Sequence, residues 1–300
     1  MIRQLLFHRL ALRVLALALI ILPLSLSANT QVVVSLKPLE LLVRAIATPD
    51  TTVTTLVGPG DNPHNYSMKP SQRRALEDAE AIFWVGPDME TFLSRMLNGD
   101  DFRSRAHALG DGEAEEDHGD AHGHHHHGHD EDSDPHIWLD PALALEMARD
   151  IHSVLKSLSA SDDATLDANL ARFEKALART ESEIRSQLEP ASAISLFTYH
   201  NAFTHFAQHY DLTLAGVLNP GSEVSAGARH LANLQKQLES ANRPCLLTER
   251  TANKESWRPV IGDLKVTFSD WDPLATDIKA DQDGYLAFQQ SLANAVAKCL

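Results

Sequence analysis

The chain has 300 residues, 43% of them hydrophobic, enough for one or two globular domains with real cores. A net charge of −15, from 26 basic and 41 acidic residues, excludes nucleic acid and anionic membrane as natural partners and suits a protein that binds cations.

Residues 1–28 read as a secretory signal. Arg3, Arg9 and Arg13 precede a short apolar stretch, 14–22, and Pro23 with Ser25-Leu-Ser-Ala28 offers small residues for cleavage. The stretch is short for a membrane span, and with no cysteine near the cleavage site a lipid anchor is not expected. Strands are predicted at 31–35, 52–57 and 81–85, with helices at 39–47, 71–78 and 88–97. Pro70 opens the second helix, where its missing N–H costs nothing.

Between Asp111 and Asp134 lie seven histidines, ten acidic residues and no lysine or arginine. Imidazole is a common zinc ligand, and the carboxylates concentrate divalent ions. The run points to transition metals, but its composition supplies no core, so it is read as a disordered loop whose His118, His122, His124, His125, His126, His127 and His129 form auxiliary weak sites.

Two long helical stretches follow, 141–158 and 162–188. In the second, Leu166, Leu170, Phe173, Leu177, Ile184 and Leu188 recur at helical spacing. The second half repeats the alternation, with strands predicted at 193–199, 212–218, 245–248 and 264–268 and helices at 201–210 and 226–240. The fold class is therefore α/β: two lobes, each a mainly parallel sheet flanked by helices, joined by a long rigid linker helix. The expected division is 29–158 for the N-terminal lobe, 159–189 for the linker and 190–300 for the C-terminal lobe. Cys245 and Cys299, the only cysteines, read as a disulfide in an oxidising compartment, two free thiols being the alternative. Closing a loop of about 53 residues would contribute about 4 kcal/mol in the chain-entropy model.

In open α/β sheets ligands sit beyond the carboxyl ends of the strands. That rule separates the sixteen histidines. His64 falls in the turn Gly58-Pro-Gly-Asp-Asn-Pro-His-Asn-Tyr66 after the second strand, and His200 follows the strand 193–199. His136 sits in Asp134-Pro-His-Ile-Trp-Leu-Asp-Pro141, held extended by two prolines. Glu249 and Asp272 occupy comparable strand ends. Three histidines and a carboxylate match zinc ligation. His107, His152 and His230 are read as surface residues. His205 and His209, four apart on one helix face, form a competing pair without a third ligand and are read as lying behind the site or on the surface.

The motifs Gly-Asp-Asn-Pro-His64-Asn-Tyr with Lys69-Pro-Ser, Trp84-Val-Gly-Pro-Asp-Met-Glu90, Asp-Pro-His136-Ile-Trp-Leu-Asp-Pro141, Tyr-His200-Asn-Ala-Phe203 and Asp272-Pro-Leu-Ala-Thr-Asp-Ile-Lys279 resemble the periplasmic zinc-binding component of ABC transporters, over essentially the whole mature chain. The resemblance implies two α/β lobes joined by a long helix, with zinc bound between them by His64, His136 and His200. It leaves the fourth ligand to Asp272, to Asp61 or to water, and puts Glu249 behind a histidine as its orienting partner. Manganese-binding relatives place a glutamate where His200 stands, so imidazole there favours Zn2+. The implied partners are an inner-membrane ABC permease and a periplasmic zinc chaperone, with the chain a non-enzymatic monomer of the periplasm. Two departures from the family pattern stand out. His205 replaces an aromatic residue, and Thr248-Glu-Arg-Thr251 replaces a more apolar segment. A metal-storing or adhesive surface protein and a zinc hydrolase are the rival readings, the latter without a His-Glu-x-x-His motif or nucleophile elbow.

Overall fold

The computed structural model describes residues 29–110, 134–158, 162–219, 227–249 and 254–300. The expected signal segment and the histidines of the 111–133 run lie outside the described residues.

The first half builds four parallel strands, β1 (Gln31–Val34), β2 (Thr52–Thr55), β3 (Ala81–Trp84) and β4 (Ala106–Ala108), in the order β2-β1-β3-β4. The central strands are continuous apolar runs because helices cover both faces: Val32, Val33 and Val34 are buried, as are all four residues of β3. Strand β4 escaped the sequence reading because Ala-His-Ala is too short and too small to show alternation. His107, on this edge strand, is half-buried. Its ring packs on Phe83, and burial lowers its pKa.

The second half repeats the plan with β5 (Ser195–His200), β6 (Leu214–Asn219), β7 (Pro244–Glu249) and β8 (Thr267–Trp271), all parallel, in the order β6-β5-β7-β8. Strand β8 starts three residues later than predicted. The turn that precedes it, closed by Leu264 N–H on Ile261 C=O, takes the apolar residues the periodicity had assigned to the strand. In both sheets the strand order reverses between the first and third strands, β1/β3 and β5/β7, and the crevice at each reversal is where the topology favours a ligand.

The helices are α1 (Lys37–Ile46), α2 (Pro70–Asp78), α3 (Thr91–Leu97), α4 (Pro141–Ser157), α5 (Asp163–Leu188), α6 (Thr204–His209), α7 (Ala228–Ser240), α8 (Arg258–Ile261) and α9 (Gly284–Ala297). Asp140 caps α4 by accepting from Ala142 N–H at 2.7 Å, with Pro141 in the first turn. The 26 residues of α5 span about 39 Å. Its predicted stripe is buried at Leu166, Phe173, Leu177, Ile184 and Leu188. The helix does not stand free. Asn169 donates to the carbonyls of Ile46 and Ala47, Arg172 pairs with Asp283, and Arg185 donates to the carbonyl of His209.

One hydrophobic core runs through both halves, from Val32 and Val34 through Phe173 and Leu177 to Leu196, Leu247 and Tyr285. Helix α9 supplies much of the join. A side chain at Gly284 would meet Lys279 C=O at 2.5 Å and Leu41 at 2.9 Å, so glycine lets α9 start directly against α1. Cys245 and Cys299 form the disulfide, Cα–Cα 5.9 Å, tying β7 to the end of the chain just beyond α9. Among the described residues no helix is long and apolar enough to cross a membrane.

Candidate metal centre

His64, His136 and His200 come together from three different local structures. His64 sits in a single 3-10 turn, Pro63–Asn65, whose N-cap Asn62 accepts from His64 N–H at 3.0 Å. His136, only 4% exposed, precedes a second such turn, Ile137–Leu139. His200 ends β5, at the strand-order reversal of the second sheet. One ring nitrogen from each lies within 4.8 Å of the other two, the only such group of potential ligands among the described residues. Ring centroids are 5.0–6.4 Å apart and the planes are inclined at 64–84°, so the rings present edges rather than stacking.

Carboxylates behind two of the rings decide which nitrogen faces inward. Asp134 Oδ1 lies 2.6 Å from His136 Nδ1 and also accepts the His136 backbone N–H at 3.0 Å. Glu249 Oε1 lies 2.5 Å from His200 Nδ1. A carboxylate at Nδ1 holds the proton there, leaving Nε2 with its lone pair free. The two Nε2 atoms then face each other at 3.3 Å with no proton to share. Two Zn–N bonds of about 2.0–2.1 Å at the tetrahedral angle put their nitrogens about 3.3–3.4 Å apart. The facing lone pairs of His136 and His200 repel unless a cation sits between them, and His64 Nε2 lies buried and unpartnered beside them.

The electrostatics keep those lone pairs available. Burial, then the neighbouring His136 and His200, lowers the pKa of His64 to about 4. Burial also lowers that of His136, against the pull of Asp134. For Asp134 burial pushes upward, but the ring and backbone hydrogen bonds from His136 prevail and hold it below the usual carboxylate range.

Asp134 was missed in the sequence. It had been assigned to the end of the disordered acid-rich run, yet it is buried and belongs to the site; the spacing Asp-Pro-His was its one signal. Asp272 is the converse. It does not join the three nitrogens; its oxygens instead close a local turn, accepting from Leu274 N–H at 2.9 Å and Thr276 N–H at 2.8 Å. That turn serves the site indirectly: Pro273 C=O accepts from Trp138 Nε1 at 2.8 Å, and the Trp138 ring backs the His136 ring at 5.2 Å. Asp61 is not in the group either. Nor are His152, bonded to Asp167, or His230, which donates to Val217 C=O. His205 and His209 do not pair on a metal. His205 Nε2 donates to Asp134 C=O at 2.7 Å, and His209 lies between Asp140 and Glu181.

Comparison with known proteins places the whole chain in a family. The family model described as ZnuA, zinc-uptake complex component A, periplasmic, matches residues 32–299. The high-affinity zinc uptake system protein ZnuA of Yersinia pestis is 33% identical over 292 residues, covering 91% of this chain and 92% of its own. Its counterpart in Haemophilus ducreyi is 31% identical over 91% of this chain and 94% of its own. A crystal structure of ZnuA superposes with a TM-score of 0.70 at 25% identity over 90% of this chain and all of the other. The periplasmic zinc-binding protein TroA of Treponema pallidum, 18% identical, shares the fold at a TM-score of 0.72 over 91% of this chain and 99% of its own. With a family model matched over residues 32–299, this chain belongs to the ZnuA family, the periplasmic component A of zinc-uptake complexes.

Proposed function

We propose that this protein captures Zn2+ in the periplasm, between its two sheets, and delivers it to an ABC permease for import. The observation that carries the proposal is the convergence of three imidazole nitrogens, two of them oriented by buried carboxylates, at a spacing suited to one tetrahedral ion. His64, His136 and His200 are the protein ligands, and Glu249 with Asp134 orients them. Asp272 lies outside the group of converging nitrogens and is held in its own turn by two backbone amides, so the fourth corner is assigned to water. Asp134 and Glu249 are both engaged at imidazole Nδ1, which leaves neither as a ready general base and favours capture over hydrolysis.

The remaining assignments follow from the sequence. Residues 1–28 are a cleaved export signal, the mature chain carries no lipid, and it works as a monomer that receives its ion through a periplasmic zinc chaperone. The 111–133 run binds further ions more weakly, because its composition supplies no core to fix its ligands, and it gathers zinc close in sequence to His136. A competitive titration of the mature protein with Zn2+ tests the scheme. One tight site and several weaker ones are expected, and deleting residues 112–133 should remove the weak sites alone. Loss of the tight site on that deletion would refute the division of labour.

A further inference from the structure

His205 and His209 were the pair that metal binding did not absorb, and their partners give them another task. Both project from one face of α6, four residues apart. His205 Nε2 donates to Asp134 C=O at 2.7 Å; His209 Nδ1 lies 3.0 Å from Asp140 Oδ1, and its Nε2 lies 2.8 Å from Glu181 Oε1 on α5. Asp134 and Asp140 are the two ends of the segment that carries His136 and its 3-10 turn. Helix α6 itself begins four residues after His200, through a tight turn in which Ala202 N–H bonds His200 C=O and the Thr204 hydroxyl donates to Asn201.

We propose that His205 and His209 are positioning residues of the metal site, clasping both ends of the 134–140 segment and setting His136 at its working distance from His200. The inference rests on the three-histidine reading above. Opposite the clasp, the segment is held by the C-terminal helix and its approach: Trp138 donates to Pro273 C=O, Tyr285 to Trp138 C=O, and Gln289 to Leu139 C=O. The clasp is the side that reports on His200, because α6 and β5 are continuous through that turn. A zinc site accepts ligand distances only within about 0.2 Å of ideal, so a loosened segment would cost affinity before it cost the fold. A phenylalanine at position 205 could fill the space of the imidazole but could not donate to the Asp134 carbonyl.

The test uses the full mature chain with His205→Phe, His205→Gln and His209→Ala. Three quantities are read: Zn2+ affinity by chelator competition, the visible absorption of bound Co2+ as a reporter of ligand geometry, and thermal unfolding of the metal-free protein. The phenylalanine variant should lose ~10-fold in affinity and show an altered Co2+ spectrum. Glutamine, whose amide can donate to the same carbonyl, should restore most of both. His209→Ala should weaken binding in the same direction, and it carries the comparison should the phenylalanine variant fail to fold. Tight binding by the native chain with unchanged affinity and Co2+ spectrum in the variants that fold, whatever their melting temperature, would overturn the clasp. Absence of tight binding in the native chain would instead overturn the three-histidine reading on which it rests.

Discussion

The two sheets share one strand order and differ in what fills the crevice where that order reverses. In the second sheet the crevice between β5 and β7 holds a histidine and a carboxylate, His200 against Glu249, with Nε2 turned toward His136 Nε2 at 3.3 Å. In the first sheet the crevice between β1 and β3 is closed by Glu90, which is fully buried and accepts from the Ser35 hydroxyl at 2.5 Å, Val85 N–H at 3.2 Å and Gly86 N–H at 3.0 Å. Gly86 has φ of 151°, a conformation glycine accepts readily, which helps the chain turn its amide onto that carboxylate. Topology offers the same crevice twice, and side chains decide that one carries a histidine–carboxylate pair while the other is sealed by Glu90. The first half contributes His64 and His136 from outside its own reversal point, from the loop after β2 and from the segment before α4.

This contrast can be broken by substitution. The largest effect should come from His200→Ala, which removes a ligand: Zn2+ affinity should fall by more than the ~100-fold upper range seen for losing a residue behind a ligand. Chelator competition measures it, and a loss under tenfold would place the site elsewhere. Next, the two buried glutamates should separate affinity from stability. Glu249→Ala should weaken zinc ~10–100-fold. Glu90→Ala should leave affinity nearly intact but lower stability by about 1–3 kcal/mol for each of its stranded donors. Denaturant unfolding beside metal titration distinguishes them, and the same outcome for both would erase the contrast.

Acidity gives a smaller, graded test. Because His64 titrates only near pH 4 in the folded metal-free protein, and His136 is also lowered, protons compete with zinc at those rings later than at ordinary histidines. Affinity should therefore fall by less than about one decade between pH 7 and pH 6; a steeper fall would show exposed, ordinary rings. Glu90 has the opposite sign. Burial, resisted by its three donors, raises it to about 7 from 4.5, so its contribution to stability is complete below pH 4.5 and is lost as pH rises through 7. Replacing Glu90 with glutamine should flatten that part of the stability profile of the metal-free protein. The smallest effect on metal is expected from reducing Cys245–Cys299. The entropic model allows about 4 kcal/mol of lost stability, while zinc affinity measured below the unfolding transition should not change.

Local signals made much of this site legible. Asn-Pro-His64, Pro-His136-Ile and Tyr-His200 each mark a histidine beside a turn or strand end, and the alternation of strands and helices gave two parallel sheets. What stayed hidden depends on packing between distant segments. Asp134 was lost in a run of acids, although its role is set by a ring two residues away. Asp272 looked like a ligand because a carboxylate at a strand end and one closing a turn have the same sequence signature. The partners of His205 and His209 emerge only when α6 lies across the 134–140 segment. Strand β4 needed β3 beside it to be visible.

The central claim is that three separated histidines, and not the histidine-rich run, form the tight site. The most direct test is a competitive Zn2+ titration of a triple alanine variant of His64, His136 and His200 that keeps residues 111–134 intact. The tight site should disappear while the weaker binding persists. Retention of one tight equivalent of zinc by that variant would contradict it.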